Sequence, residues 1–106
     1  MGEIVHNKLV RDKVSFILIT KGHRVNTYII SDNKEYGEVL LNKLIQEIGE
    51  YAEVNDMEKL IDIIEVIYTI AVEQGVDRLT LEKMRVDKLR SEGGFRHRVL
   101  LKEVID

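Results

Sequence analysis

At 106 residues, 44% of them hydrophobic and 33% charged, the chain has the composition of one folded domain (1–106) rather than of a disordered segment. It contains no cysteine, which excludes a disulfide framework, a thiolate metal site and a cysteine nucleophile. The net charge of -3 argues against nonspecific nucleic-acid binding, yet leaves room for a phosphate-bearing ligand held through a metal, because a bound cation inverts the local field. No apolar stretch is long enough to span a bilayer and no signal-peptide pattern is seen, so a cytoplasmic location without a membrane partner is expected. Met1-Gly2 opens like an acylation signal, but His6 stands where that signal needs Ser or Thr.

Proline is absent, which favours long uninterrupted helices. Residues 1–9 read as an extended lead-in that runs into the basic segment Asn7-Lys8-Leu9-Val10-Arg11-Asp12-Lys13. A first helix is predicted from Val10 or Arg11 to Lys21, stopped by Gly22. Residues 24–30 are β-branched and aromatic in bias and predict a short strand. Asp32, with Glu35 three residues on, resembles a capping box, and Ser31 is the alternative cap. The second helix should then run from Asn33 to Glu53, carrying Leu40, Leu41, Leu44, Ile45, Ile48, Tyr51 and Ala52 at helical spacing. Asn55-Asp56 is a short break that makes the flanking helices antiparallel neighbours. A third helix follows from Met57 to Gln74, stopped by Gly75, and a fourth from Thr80 as N-cap to about Ser91, closed by Gly93-Gly94. The apolar tail from Val99 to Ile105 is expected to be extended, residues 98–104 pairing with 24–30 in a small two-stranded ribbon.

The third helix is the informative one. Ten of the thirteen residues from Leu60 to Val72 are apolar and surround most of the helix, which predicts that it is largely buried. The exceptions, Asp62, Glu65 and Thr69, fall in one narrow stripe at about 100° per residue, and Glu58 lies on that stripe one turn earlier. Acids on an otherwise buried helix are costly unless compensated, and spacing i, i+3 puts both carboxylates on one face, suited to a cation. Glu47 and Glu50 on the second helix have the same spacing, at the edge of its apolar face. Four oxygen donors from two such helices select a hard cation, Mg²⁺ or Mn²⁺ before Ca²⁺. Two readings compete with a metal: solvated faces with ordinary salt bridges, and neutralisation of the acids by Arg or Lys from the N-terminal run. His6, His23 and His97 show no ligand spacing, and nothing forms a nucleophilic triad.

Glu-x-x-Glu on one helix, then an acidic pair at i, i+3 on the next, resembles the all-α nucleoside triphosphate pyrophosphohydrolases of the MazG-like superfamily. The segment Asn7 to Lys13, and the late run Lys88-Leu89-Arg90-Ser91-Glu92-Gly93-Gly94-Phe95, are similar to the flanking signatures of a short phosphoribosyl-ATP pyrophosphohydrolase-like, house-cleaning branch. Glu47, Glu50 and Asp62 match acids of the family's two motifs. Gln46 and Lys59 stand where the family has Glu; Glu65, on the same face as Asp62, is one candidate to supply the missing oxygen and Glu58 is the other.

The resemblance implies an all-α four-helix bundle with two long antiparallel central helices, assembled as a homodimer or homotetramer. It implies Mg²⁺-dependent hydrolysis of a nucleoside triphosphate, canonical or modified, to the monophosphate and pyrophosphate. Glu47, Glu50 and Asp62 would be catalytic and, with Glu65, would hold Mg²⁺ or Mn²⁺. Lys8, Arg11, Lys13, Lys88 and Arg90 would hold the phosphates, with Arg96 a further basic candidate. Hydrolysis of phosphoribosyl-ATP in histidine biosynthesis, and a nucleotide- or metal-binding module without catalysis, are the alternatives. A di-iron bundle is disfavoured, since it wants Glu-x-x-His pairs and there are none.

Overall fold

The computed structural model describes residues 8–106, so His6 and Asn7, the first residue of the basic motif, lie outside the description. The described chain is all-α: α1 (Val14–Thr20), α2 (Asn33–Val54), α3 (Met57–Glu73) and α4 (Arg78–Glu92). None of these helices is long and apolar enough to cross a membrane.

Three of the four helices start on an aspartate whose carboxylate accepts from an amide of the first turn, satisfying donors that have no partner within the helix. Asp32 accepts from the Glu35 amide, Asp56 from Glu58 and Asp77 from Thr80. Asp77 therefore caps α4, which begins two residues before the predicted Thr80. α1 also differs from expectation: Arg11 to Lys13 form a turn and the helix begins only at Val14, its N-cap Lys13 offering no side-chain acceptor. Asn55 in the left-handed region (φ 52°) ends α2, and Gly22 (φ 90°) follows α1 as expected.

The predicted ribbon does not form. Residues 24–30 and 98–104 contain no strand and make no backbone ladder with each other. The physical reason is that a lone two-stranded ribbon is marginal in water, and neither segment has a packed layer beneath it.

α3 folds back along α2 through the two-residue connection. Lys59 meets Glu50 and Glu47 beside that connection. The face of α2 turned to α3 is the stripe Tyr36, Val39, Leu40, Lys43, Leu44, Glu47, Glu50 and Tyr51, and α3 answers with Leu60, Asp62, Ile63, Val66 and Ile70. α4 packs more lightly on α3, with the Arg78 guanidinium 5.3 Å from the centre of the Tyr68 ring.

This single layer covers little. Leu40 and Val66 are the buried apolar residues, while Ile61, Ile64, Ile67 and Val72 remain about half exposed, so α3 is not the buried helix its composition predicts. One partner helix shields one face, and an apolar surface running round a helix needs a second layer.

Candidate metal and phosphate site

Glu47 sits at the middle of the α2 stripe that faces α3, where it is only 3% exposed. The sequence pattern placed it at the edge of the apolar face; packing puts it in the centre. Its Oε1 is held by Lys43, whose Nζ lies 3.0 Å away one helical turn earlier. Its Oε2 is buried and accepts no hydrogen bond; Lys59 Nζ is 3.5 Å from it. A buried carboxylate oxygen without a donor is costly, so the position invites a cation.

Glu50, one turn on, receives Lys59 Nζ at 2.8 Å on Oε2, and Gln46 Nε2 approaches its Oε1 at 3.4 Å. Asp62 on α3 accepts from Arg11 Nη2 at 2.6 Å, a contact that spans 51 residues of sequence. Glu65 lies close enough to act on the same guanidinium, as does Glu47. Two ion-paired groups thus adjoin: Lys43, Glu47, Lys59 and Glu50 in one, Arg11 and Asp62 in the other, with Glu65 and Glu47 within Coulombic reach of the Arg11 guanidinium. The donor set is all oxygen and one buried oxygen is unbonded, which fits a hard cation. Among the described residues, however, no three acids stand together as a group that could hold a metal ion; Lys59 is paired with Glu47 and Glu50, and Arg11 with Asp62.

The remaining basic residues named above are not gathered here. Lys8 and Lys13 are exposed at the N-terminal turn, Lys88 and Arg90 are exposed on α4, and none forms an ion pair among the described residues. Glu58 is exposed at the start of α3, its amide bonded to Asp56. Two features escaped sequence reasoning. Lys43 lies on the same stripe as Glu47 at i, i+4, a signal that spacing alone carried. A shallow groove lined by Glu65, Tyr68, Thr69, Val72 and Arg78 borders the acids, and it depends on how α4 packs.

The ion pairs set the pH response. The Lys59 ammonium holds the Glu50 carboxyl below its ordinary value of 4.5. The Thr80 amide does the same for the Asp77 cap, and Arg85 for Glu82. A carboxyl depressed in the folded state stabilises fully above its unfolded value, and the contribution is lost as pH falls through the folded one. The melting temperature is therefore expected to decline as pH drops from about 4.5 downward. Lys59→Gln should shallow that decline in circular-dichroism melts; an unchanged slope would mean the Lys59–Glu50 pair is not formed in solution.

Comparison with protein-family models, with curated proteins and with solved structures gives no match to this chain.

Proposed function

We propose that the chain is a Mg²⁺-dependent nucleotide pyrophosphohydrolase of the MazG-like type, acting on a nucleoside triphosphate at the α2–α3 acids. The observation that carries this reading is convergence. The Arg11 of the N-terminal motif contacts Asp62 of the second acidic motif, and its guanidinium feels the charge of Glu47 from the first, whose second oxygen is buried and unbonded.

Glu47, Glu50, Asp62 and Glu65 would hold Mg²⁺, or Mn²⁺, which supplies a Lewis acid for the triphosphate and lowers the pKa of water. Of the chain's own groups, Arg11 is placed to bind phosphate oxygens as a rigid fork of donors. Whichever of Glu47 and Glu50 the cation left free would serve as general base. The groove with Tyr68 and Arg78, adjoining Glu65, offers a ring face and a guanidinium to the base.

The test is incubation with a panel of canonical and modified nucleoside triphosphates, with Mg²⁺ or with chelator, and detection of pyrophosphate. Release in Mg²⁺ that chelator abolishes is expected; no release from any of them would sink the enzyme reading. One observation favours a second reading, a nucleotide-binding module without catalysis: Lys59 already neutralises Glu50 and approaches Glu47. Nucleotide binding with no pyrophosphate under any metal would select it.

The proposal includes a second copy of the chain on the outer face of the α2–α3 pair. Leu41, Ile45 and Ile48 lie about 100° round α2 from the inward stripe, and Ile64 and Ile67 lie the same angle round α3. Because α3 runs back along α2, the two flanks form one apolar face, exposed along its length. The chain exposes 10213 Å² at 12.3 kDa, where a compact monomer of that mass exposes roughly 6,000 Å². Its radius of gyration is 18.5 Å, against about 13 Å for a compact chain of this length. The non-helical segments 23–31 and 93–106 account for part of the excess and exposed apolar side chains of α2 and α3 for another part; an obligate dimer buries roughly 1,000–2,500 Å² of surface per protomer.

A further inference from the structure

We infer that Lys59 is a tethered counter-cation that occupies Glu47 and Glu50 and must be displaced before a divalent ion binds them. This rests on the reading of those two acids as cation ligands.

Among the three basic side chains at the site, Lys59 alone reaches two acids: 2.8 Å to Glu50 Oε2 and 3.5 Å to Glu47 Oε2. Lys43 is engaged with the other oxygen of Glu47, and Arg11 with Asp62. The one buried oxygen that accepts no hydrogen bond therefore faces Lys59 and no other basic group within ion-pair distance. The position of Lys59 in its own helix is also informative. It lies in the first turn of α3, where the helix dipole disfavours a positive charge. Its side chain is nonetheless folded against α2 and is 29% exposed. The two carboxylates across the interface compensate what the dipole opposes, and they hold the ammonium above its ordinary pKa, chiefly through the Glu50 hydrogen bond.

The consequence is competition. A divalent ion cannot share Glu47 Oε2 and Glu50 Oε2 with an ammonium at this range. A doubly charged ion about 4 Å from a unit charge is repelled, even at the dielectric of water, enough to change affinity by more than about tenfold. The lysine stem is flexible and the head is partly solvated, so it can leave for water without moving either helix. Lys59 thus sets how tightly the site takes a metal. It also lets the chain fold with charged acids before any metal is bound.

The test is titration of Mn²⁺ into the full chain, following loss of the free aquo-ion signal by electron paramagnetic resonance. Lys59→Gln and Lys59→Met are expected to bind Mn²⁺ at least about tenfold more tightly than the parent. Lys83→Gln, which removes the same charge from an exposed position on α4, should bind as the parent does. Adding Glu47→Gln to Lys59→Gln should return binding to the parental level or below. Circular-dichroism spectra establish that each variant is folded.

Equal Mn²⁺ affinity in Lys59→Gln and the parent, with Glu47→Gln and Glu50→Gln both weaker, would overturn the role of Lys59 while leaving the acids as ligands. A gain in Lys59→Glu but not in Lys59→Gln would also overturn it, since an added ligand rather than a vacated position would be the cause. No Mn²⁺ binding in any variant would overturn the inference together with the metal site.

Discussion

Glu47→Gln is expected to lower Mg²⁺-dependent turnover by at least about a hundredfold while changing the melting temperature by only a few degrees. The amide keeps the shape of the side chain, so the packing around this buried position is retained. What disappears is the charge. The carboxylate is almost fully buried and one of its oxygens has no donor, so neutralising it relieves a desolvation cost. The loss is offset by Lys43 and Lys59, which shed one counter-charge but are partly solvated and return to water. A loss of turnover without a matching loss of stability would mark Glu47 as a group that serves chemistry rather than packing. Glu50→Gln and Asp62→Asn should reduce turnover in the same direction, and Asp62→Asn should also release Arg11. Steady-state kinetics with pyrophosphate detection and thermal melts make the check; turnover retained in all three variants would mean that the site is misplaced.

The double change Ile48→Glu and Ile64→Glu is expected to yield a monomer and to lower the melting temperature by more than about 10 °C. Both side chains are about half exposed on the outer face of the α2–α3 pair, so within one protomer two exposed glutamates would cost little. If a second copy covers that face, four carboxylates per dimer are placed in an apolar interface without partners. The large effect follows from how little each protomer buries alone: Leu40 and Val66 are its buried apolar side chains. Glu47, Glu50 and Asp62 lie on the inward stripe, away from both substitutions, so Mn²⁺ binding by whatever folded protein remains should be altered far less than assembly. Light scattering coupled to size exclusion reads the mass directly. A monomeric parent chain with a cooperative, high-temperature melt would refute the second copy as the cover.

Helix number, the Asp32 cap, the break at Asn55-Asp56 and the helix stops at Gly22 and Gly75 were all legible in the sequence. They rest on interactions within four or five residues, between a cap side chain and first-turn amides, or on a glycine's access to positive φ. The i, i+3 acid pairs were legible for the same reason. The late start of α1, and Asp77 rather than Thr80 as the cap of α4, show where competing local signals of similar strength lie side by side.

The tertiary structure decided everything that depends on distant residues meeting. Sequence spacing put Glu47 and Glu50 on one helix face; only the return of α3 along α2 made Glu47 the buried one. Lys59, a departure from an acidic motif when read along the chain, turned out to be the group that lies between the two acids. Arg11 and Asp62 are 51 residues apart, and no local preference pairs them. The apolar circumference of α3, read as burial, is half exposed in a single chain, because burial is a property of what packs against a surface and not of the surface itself.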